Sequence, residues 1–321
     1  MKKIAKGGYS EEFRAILQAY ERAGGDPQTL FDRRVASLVI SGNRVLGSNG
    51  FPGLQIEMEE LRDGVSALIT VAPEAEIPMP VHLCLGFLPR EGVQRILSRF
   101  QIGEGAKVRF LAHCSFPNAV RVQHVMESEV RIGERATMEY SEEHFHGLEG
   151  GTEVLPRVRV DIAAGGFYRA EFKLVQGAVG TLDVDYFVQL AARAAAELAT
   201  KVYGKGDDRI QIREALHLSG EDSRGLVKSR IVLQDRAQAE FIGEAVGAGA
   251  FARGHIDCTE VLRGTQARAI TVPKLTVLDE RAKLTHEAAI GRIDVKELET
   301  LMARGLSEDE AVEVIIRGLL K

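Results

Sequence analysis

Four copies of one short pattern limit the fold of this chain more than any other feature. They read GEGAKVRF at 103–110, GERATMEY at 133–140, QDRAQAEF at 234–241 and DERAKLTH at 279–286. Each sets acidic or glycine turn residues before Arg-Ala or Gly-Ala and then alternates into a strand, with an alanine small enough for a crowded corner. The starts differ by thirty for the first two copies and by forty-five for the last two, so no single period joins them. Repeats of one supersecondary unit imply stacked rungs, each burying its apolar face only against its neighbours. The same alternation also fits an antiparallel sandwich, the commoner architecture.

Three regions surround and include these copies: a helical segment at 1–33, a strand-rich core at 34–290 and a second helical segment at 291–321. In the first, Ser10 is placed to cap a helix whose Phe13, Ile16, Leu17 and Tyr20 share one face, and Asp26-Pro27 offers a second start. The core is rich in Val, Ile and Phe and broken by Gly. Within it AARAAAELATKVYG at 191–204 has helical composition, yet its flanks read as strand, and strand is the expectation here. In the last segment Asp294 with Glu297 and Ser307 with Glu310 predict two capping boxes, with Gly305 between the helices. Leu298, Leu301 and Met302 line the first of these helices, and Ala311, Val312, Ile315, Ile316 and Leu319 line the second. Such short amphipathic helices need something to pack on, for instance the end of a β-stack whose edge strands they would shield.

The junction AKLTHEAAIGRID at 282–294 resembles the signature of SufB and SufD, the scaffold subunits of the Suf iron–sulfur cluster assembly machine. SRGLVKSRIVL at 223–233, with Arg224, Gly225 and Lys228, is similar to the RGLVK stretch of SufB, and GHIDCTEVL at 254–262 to the strand that carries SufB's essential cysteine. Gly291 and Arg292 complete the junction motif. The chain is shorter than bacterial SufB or SufD and looks most like the minimal single-scaffold form, SmsB. The resemblance implies a right-handed parallel β-helix with helical pieces at both ends. It also implies a scaffold rather than an enzyme, carrying a transient iron–sulfur cluster and driven by a SufC-type ABC ATPase. That ATPase would dock on the C-terminal helices, through Leu298, Leu301, Met302, Ile315, Ile316 and Leu319. A second scaffold chain is implied too, either another copy of this one in a homodimer or a sister subunit.

By the same resemblance Cys258 is the cluster thiol, with His286 and Glu287 as the SufB His-Glu pair. Thiolate is a fitting ligand for cluster iron, soft sulfur matching soft metal. Its local sequence does not advertise reactivity, because a lone strand cysteine is usually a small buried hydrophobe and the acidic neighbours Asp257 and Glu260 would raise its pKa. Adjacent strand residues face opposite ways, so one of His286 and Glu287 can share a face with Cys258. His255, three residues from Cys258, faces away from it. The SufB cysteine that first receives persulfide has no counterpart near RVDIAAGGF at 159–167. His144 and His146 share a strand face and could bind metal, although a solvated pair without a third ligand in register is the plainer expectation. Cys114, beside His113, is a second thiolate candidate for which burial is expected, and Cys84 has no assigned part.

Other function classes find little support. The net charge of -5 offers no basis for nucleic-acid binding. The longest apolar run, at 81–88, is far too short to span a bilayer, and the start has no signal-peptide core. Three widely spaced cysteines suit a reduced cytoplasmic protein. No phosphate-binding P-loop occurs, and GKGDD at 204–208 reads as a turn, so ATP hydrolysis would come from a partner. A β-helix enzyme on acidic polysaccharide would need paired carboxylates in a groove together with secretion. A SufD-like structural subunit without cluster chemistry is the closer alternative, and Cys258 distinguishes the two.

Overall fold

Most strands of the core alternate buried with more exposed positions, the two-residue period of a strand with one face turned inward. The computed structural model describes residues 11–147 and 149–321. The expected capping residue Ser10 lies outside them. In chain order the elements are α1 (Glu11–Arg22), a 3-10 turn (Pro27–Phe31), β1 (Ser37–Ser41), β2 (Arg44–Asn49), β3 (Leu54–Glu60), β4 (Gly64–Val71), β5 (Val81–Gly86), β6 (Glu91–Ile102) and β7 (Lys107–Phe116). Then follow β8 (Arg121–Ile132), β9 (Thr137–His146), β10 (Thr152–Ile162), β11 (Phe167–Gln176), β12 (Gly180–Leu190), β13 (Ala195–Gly204), β14 (Arg209–Leu218) and β15 (Arg224–Leu233). The chain closes with β16 (Gln238–Gly247), β17 (Arg253–Leu262), β18 (Arg268–Val277), β19 (Lys283–Arg292), α2 (Val295–Met302) and α3 (Glu308–Leu319).

From β4 onward every strand pairs in parallel with the strand two places away, odd-numbered strands in one sheet and even-numbered in the other. Consecutive strands therefore lie in opposite sheets, and the chain winds through about eight coils of a parallel β-helix. An antiparallel sandwich is excluded by this pairing; among the described residues antiparallel strand pairs occur only at the start, between β1 and β2 and between β3 and β4. The segment at 191–204 forms strand β13, as expected, because in-register pairing with β11 and β15 outweighs its alanine content.

The repeated cassettes are the corners. Copies at 103 and 133 precede β7 and β9, neighbours in one sheet and one full coil apart. Copies at 234 and 279 precede β16 and β19, in different sheets, one and a half coils apart, which accounts for the unequal spacing. Their alanines Ala106, Ala136 and Ala237 are fully buried. In the first two copies the residue before the alanine is left-handed: Gly105 at φ 66°, where glycine bears no steric penalty, and Arg135 at φ 55° in the next coil.

One apolar core runs the length of the helix interior. Two satellites lie outside it. On the outer face of the odd-numbered sheet, α1 sets Phe13, Ile16 and Tyr20 against Val39 and Cys84. Lower down, α2 and α3 pack along the same face, where Val312, Ile316 and Leu320 meet Tyr203 and Val232. The last rung is thus left uncovered, contrary to the expectation that these helices shield the edge strands. Outward positions near the ends of β13 and β15 are themselves apolar and form the better seat. On the open rung Leu275, Val277 and Ile290 are 39%, 51% and 48% exposed, although each stands in register with an inward-facing position of the strand before.

The C-terminal caps follow the sequence with one difference. Ser307 and Glu310 form the full capping box. Asp294 accepts from the Lys296 and Glu297 amides at 2.7 and 3.2 Å, which is one half of the box expected there. Ser307→Ala lowers stability by about 1 kcal/mol, read as a fall in the denaturation midpoint of the full chain; an unchanged midpoint would mean that α3 is held by its packing alone.

Candidate functional site

Alternation along β17 turns Ile256, Cys258 and Glu260 inward and His255, Asp257 and Thr259 outward. The register with β19 pairs Ile256 with His286, Asp257 with Glu287 and Cys258 with Ala288. His286 therefore shares the inner face with Cys258, one rung away, and Glu287 stands on the outer face. One member of the pair, His286, thus joins Cys258 on the inner face, as the two-residue period of a strand leads one to expect. Glu260, treated in the sequence only as an electrostatic neighbour, is the carboxylate that reaches the thiol.

Around Cys258 the contacts are polar and close. Its Sγ lies 3.3 Å from Thr271 Oγ1 on β18 and 3.6 Å from Glu260 Oε1, and Thr271 donates to that same oxygen. Directly below in register is Ser229, whose hydroxyl is buried without a partner. Glu260 Oε2 and His286 Nε2 are likewise buried and unpartnered. Burial pushes the Cys258 thiol up to about 12, with Thr271 opposing and Glu260 reinforcing. Burial also raises Glu260, and burial together with His255 lowers His286. The Cys258 thiol is therefore protonated in this buried setting and must lose its proton before it can bind metal.

Asp257 does not act on the thiol, because it points outward, where Arg230 grips it through two bonds of 2.9 and 2.6 Å and holds its carboxyl below the ordinary range. Lys228 precedes Asp257 in the same outer column, so Lys228, Asp257 and Glu287 stand in line across three rungs. His255 also faces outward, hydrogen-bonded to Thr285 Oγ1 at 2.8 Å. A Cβ at Gly225 would meet Leu216 Cδ1 at 2.5 Å, so a larger residue there obliges that side chain to shift. Gly291 and Arg292 lie exposed at the end of β19, and among the described residues nothing comes within 4 Å of a Cβ placed at 291.

The docking residues divide. Ile316 is 2% exposed, and Leu298 and Leu319 pack on the same cluster, so Ile316 is withdrawn as a docking residue because its side chain is already used against Tyr203 and Val232. Leu301 and Ile315 are half-buried. Met302 stays exposed, as do Val295 and Val314, which the periodicity of the two helices did not single out.

A second polar cluster lies deeper in the interior. His144 and His146 are buried inside the helix, not solvated, because β9 turns Glu142, His144 and His146 inward. Cys114 is in register with His144 on the neighbouring rung, and His124 reaches in from β8. The third ligand thought absent was legible as a cysteine thirty residues before His144, one coil away. His124 carried no such signal, since it comes from the other sheet. Cys84 sits apart beneath α1, where burial pushes its thiol up to about 12.

A family model described as the SUF system FeS cluster assembly, SufBD core domain, matches residues 94–319. The chain belongs to the SufBD family. An iron–sulfur cluster assembly SufBD family protein of Pyrococcus horikoshii is 37% identical over 315 residues, 98% of this chain and 95% of the relative. One of Methanocaldococcus jannaschii is 32% identical over 311 residues, covering 97% and 98% of the two chains. SufB of Bacillus subtilis aligns over 129 residues at 29% identity, 39% of this chain and 27% of that protein. Short SufBD proteins of this length are therefore found in archaea. Among the described residues no helix is long and apolar enough to cross a membrane.

Proposed function

We propose that this SufBD protein is a non-enzymatic cytoplasmic scaffold on which a nascent iron–sulfur cluster is built at Cys258, with His286 as neighbouring ligand. The observation that carries the reading is the placement of a thiol, a carboxyl and an unpartnered imidazole on the inner face of the last two rungs, beside an open sheet edge. A SufD-like structural role needs none of these groups. One thiolate cannot satisfy a cluster that normally takes four protein ligands. Two copies joined end to end at β18 and β19 double every ligand and satisfy both open edges. Glu287, on the outer face, serves the contact between copies better than the cluster. The cluster is cargo, and nitrogen or oxygen ligation in place of some thiolates favours its release.

The closed, protonated thiol has to be exposed before it binds iron, which assigns work to a SufC-type ATPase seated on α2 and α3. Met302, with Val295 and Val314, gives it an apolar face. Removal of residues 294–321 abolishes capture of such an ATPase and uncovers Tyr203 and Val232; capture undiminished by the truncation would place docking elsewhere. Anaerobic reconstitution with iron and sulfide tests the site itself. Cys258→Ser loses most of the visible cluster absorbance of the parent while Cys84→Ser keeps it, and equal absorbance from Cys258→Ser would return the chain to a structural role.

A further inference from the structure

We propose that Cys114, His124 and His144 form a transition-metal site in the middle of the β-helix, separate from Cys258. Their ligand atoms lie within 4.8 Å of one another, and all three side chains are fully buried. They come from β7, β8 and β9, so an ion here ties two rungs of one sheet to the facing sheet. In a tetrahedral site with metal–sulfur and metal–nitrogen bonds of about 2.3 and 2.0 Å, ligand atoms stand roughly 3.5 Å apart, a contraction that small side-chain rotations supply.

The second observation is at His124. Neither of its ring nitrogens makes a well-formed hydrogen bond, although the Gln94 main chain lies nearby. A buried polar group left in that state costs about 1–3 kcal/mol, and a bound cation supplies the missing partner. The surroundings are also those of a ligating histidine. Glu142 Oε1 accepts from His144 Nε2 at 2.6 Å, and Tyr140 donates to Glu142 Oε2 at 3.0 Å. A carboxylate behind a histidine fixes its tautomer and ring orientation in metal centres. His146 Nε2 stands 3.3 Å from His144 Nδ1, and Cys114 Sγ stands 4.0 Å from Glu142 Oε1. Glu142 therefore either orients His144 or moves in as a fourth ligand.

One thiolate with two imidazoles selects zinc, ferrous iron or cuprous copper over magnesium or calcium. Binding a divalent ion releases the Cys114 proton to solvent and leaves a metal–thiolate bond, with no change of oxidation state. Because the site is enclosed, it loads as the chain folds.

Cobalt reports on such a site through its thiolate charge-transfer absorption. The full chain carrying Cys84→Ala and Cys258→Ala, produced in cobalt-supplemented minimal medium, retains Cys114 as its sole thiol. It is expected to hold about one cobalt per chain, by elemental mass spectrometry, with an intense near-ultraviolet thiolate band. Adding Cys114→Ser removes the band, and His124→Asn lowers the cobalt content at least tenfold. The parent measurement requires no change within the cluster, so misfolding of a site variant cannot decide the outcome. Cobalt absent from that chain, or present without the thiolate band, overturns the proposal and leaves the Cys258 reading untouched.

Discussion

Glu214→Gln removes about 3 kcal/mol of pH-dependent stability from this protein, since each tenfold change in proton affinity between the folded and unfolded chain is worth about 1.4 kcal/mol. Glu214 is wholly enclosed, with Thr200 Oγ1 donating to Oε1 at 2.6 Å and Oε2 left without a partner. Burial pushes its carboxyl from 4.5 to about 7, against the Thr200 bond, which lowers it. The folded chain holds this proton more tightly than the unfolded one. Its stabilising contribution is thus complete below 4.5, declines as pH rises, and is gone above about 7. Buried His124 and His146 act in the opposite sense: burial holds them neutral and well below the ordinary histidine value, so they favour the folded chain as pH rises through that value. The difference between parent and variant isolates Glu214, since a glutamine does not titrate. Denaturant unfolding at about pH 4 and pH 8 is expected to show the stability gap between the two proteins changing by about 3 kcal/mol; parallel pH profiles would mean that Glu214 is solvated.

Leu275→Lys is expected to split the proposed dimer while leaving each chain folded. Leu275 continues the inner column of Ala245 onto the last rung, and it is exposed only because no further rung covers it. In a single chain a lysine there reaches water at little cost. In an end-to-end dimer it would be an unpaired buried charge, costing several kcal/mol. Each 1.4 kcal/mol is a factor of ten, so association weakens at least about a thousandfold. Sedimentation equilibrium is expected to give twice the chain mass for the parent and the chain mass for the variant, with unchanged circular dichroism. A parent that sediments as a monomer, or a variant that stays dimeric, removes the end-to-end arrangement.

The coil architecture was legible because its corners repeat: a tight turn closed by a small buried alanine leaves a related mark, GEGA, GERA, QDRA or DERA, at four places. The unequal spacing was not interpretable from sequence alone, since coils contain two strands and a cassette can precede either. Strand β13 was recoverable against its own alanine content only from its flanks. The Cys258 strand and the separation of His286 from Glu287 followed from a two-residue period, which is local. Thr271 and His124 were invisible for the opposite reason. Each lies on the facing sheet, and no sequence distance fixes what opposes what across a β-helix interior. The burial of His144 and His146 was misjudged because inward and outward faces of one strand look alike when both carry polar side chains. The helices α2 and α3 were correctly bounded, yet their seat was decided by Tyr203 and Val232, apolar residues at outward positions about 60 to 120 residues earlier.

Two copies of Cys258 holding one cluster between them is the central claim. Native mass spectrometry of the anaerobically reconstituted full chain tests it most directly. The expected species is two chains with one iron–sulfur cluster, which Cys258→Ser converts to cluster-free chains. A cluster carried by a single chain, or a two-chain species that keeps its cluster in Cys258→Ser, would contradict it.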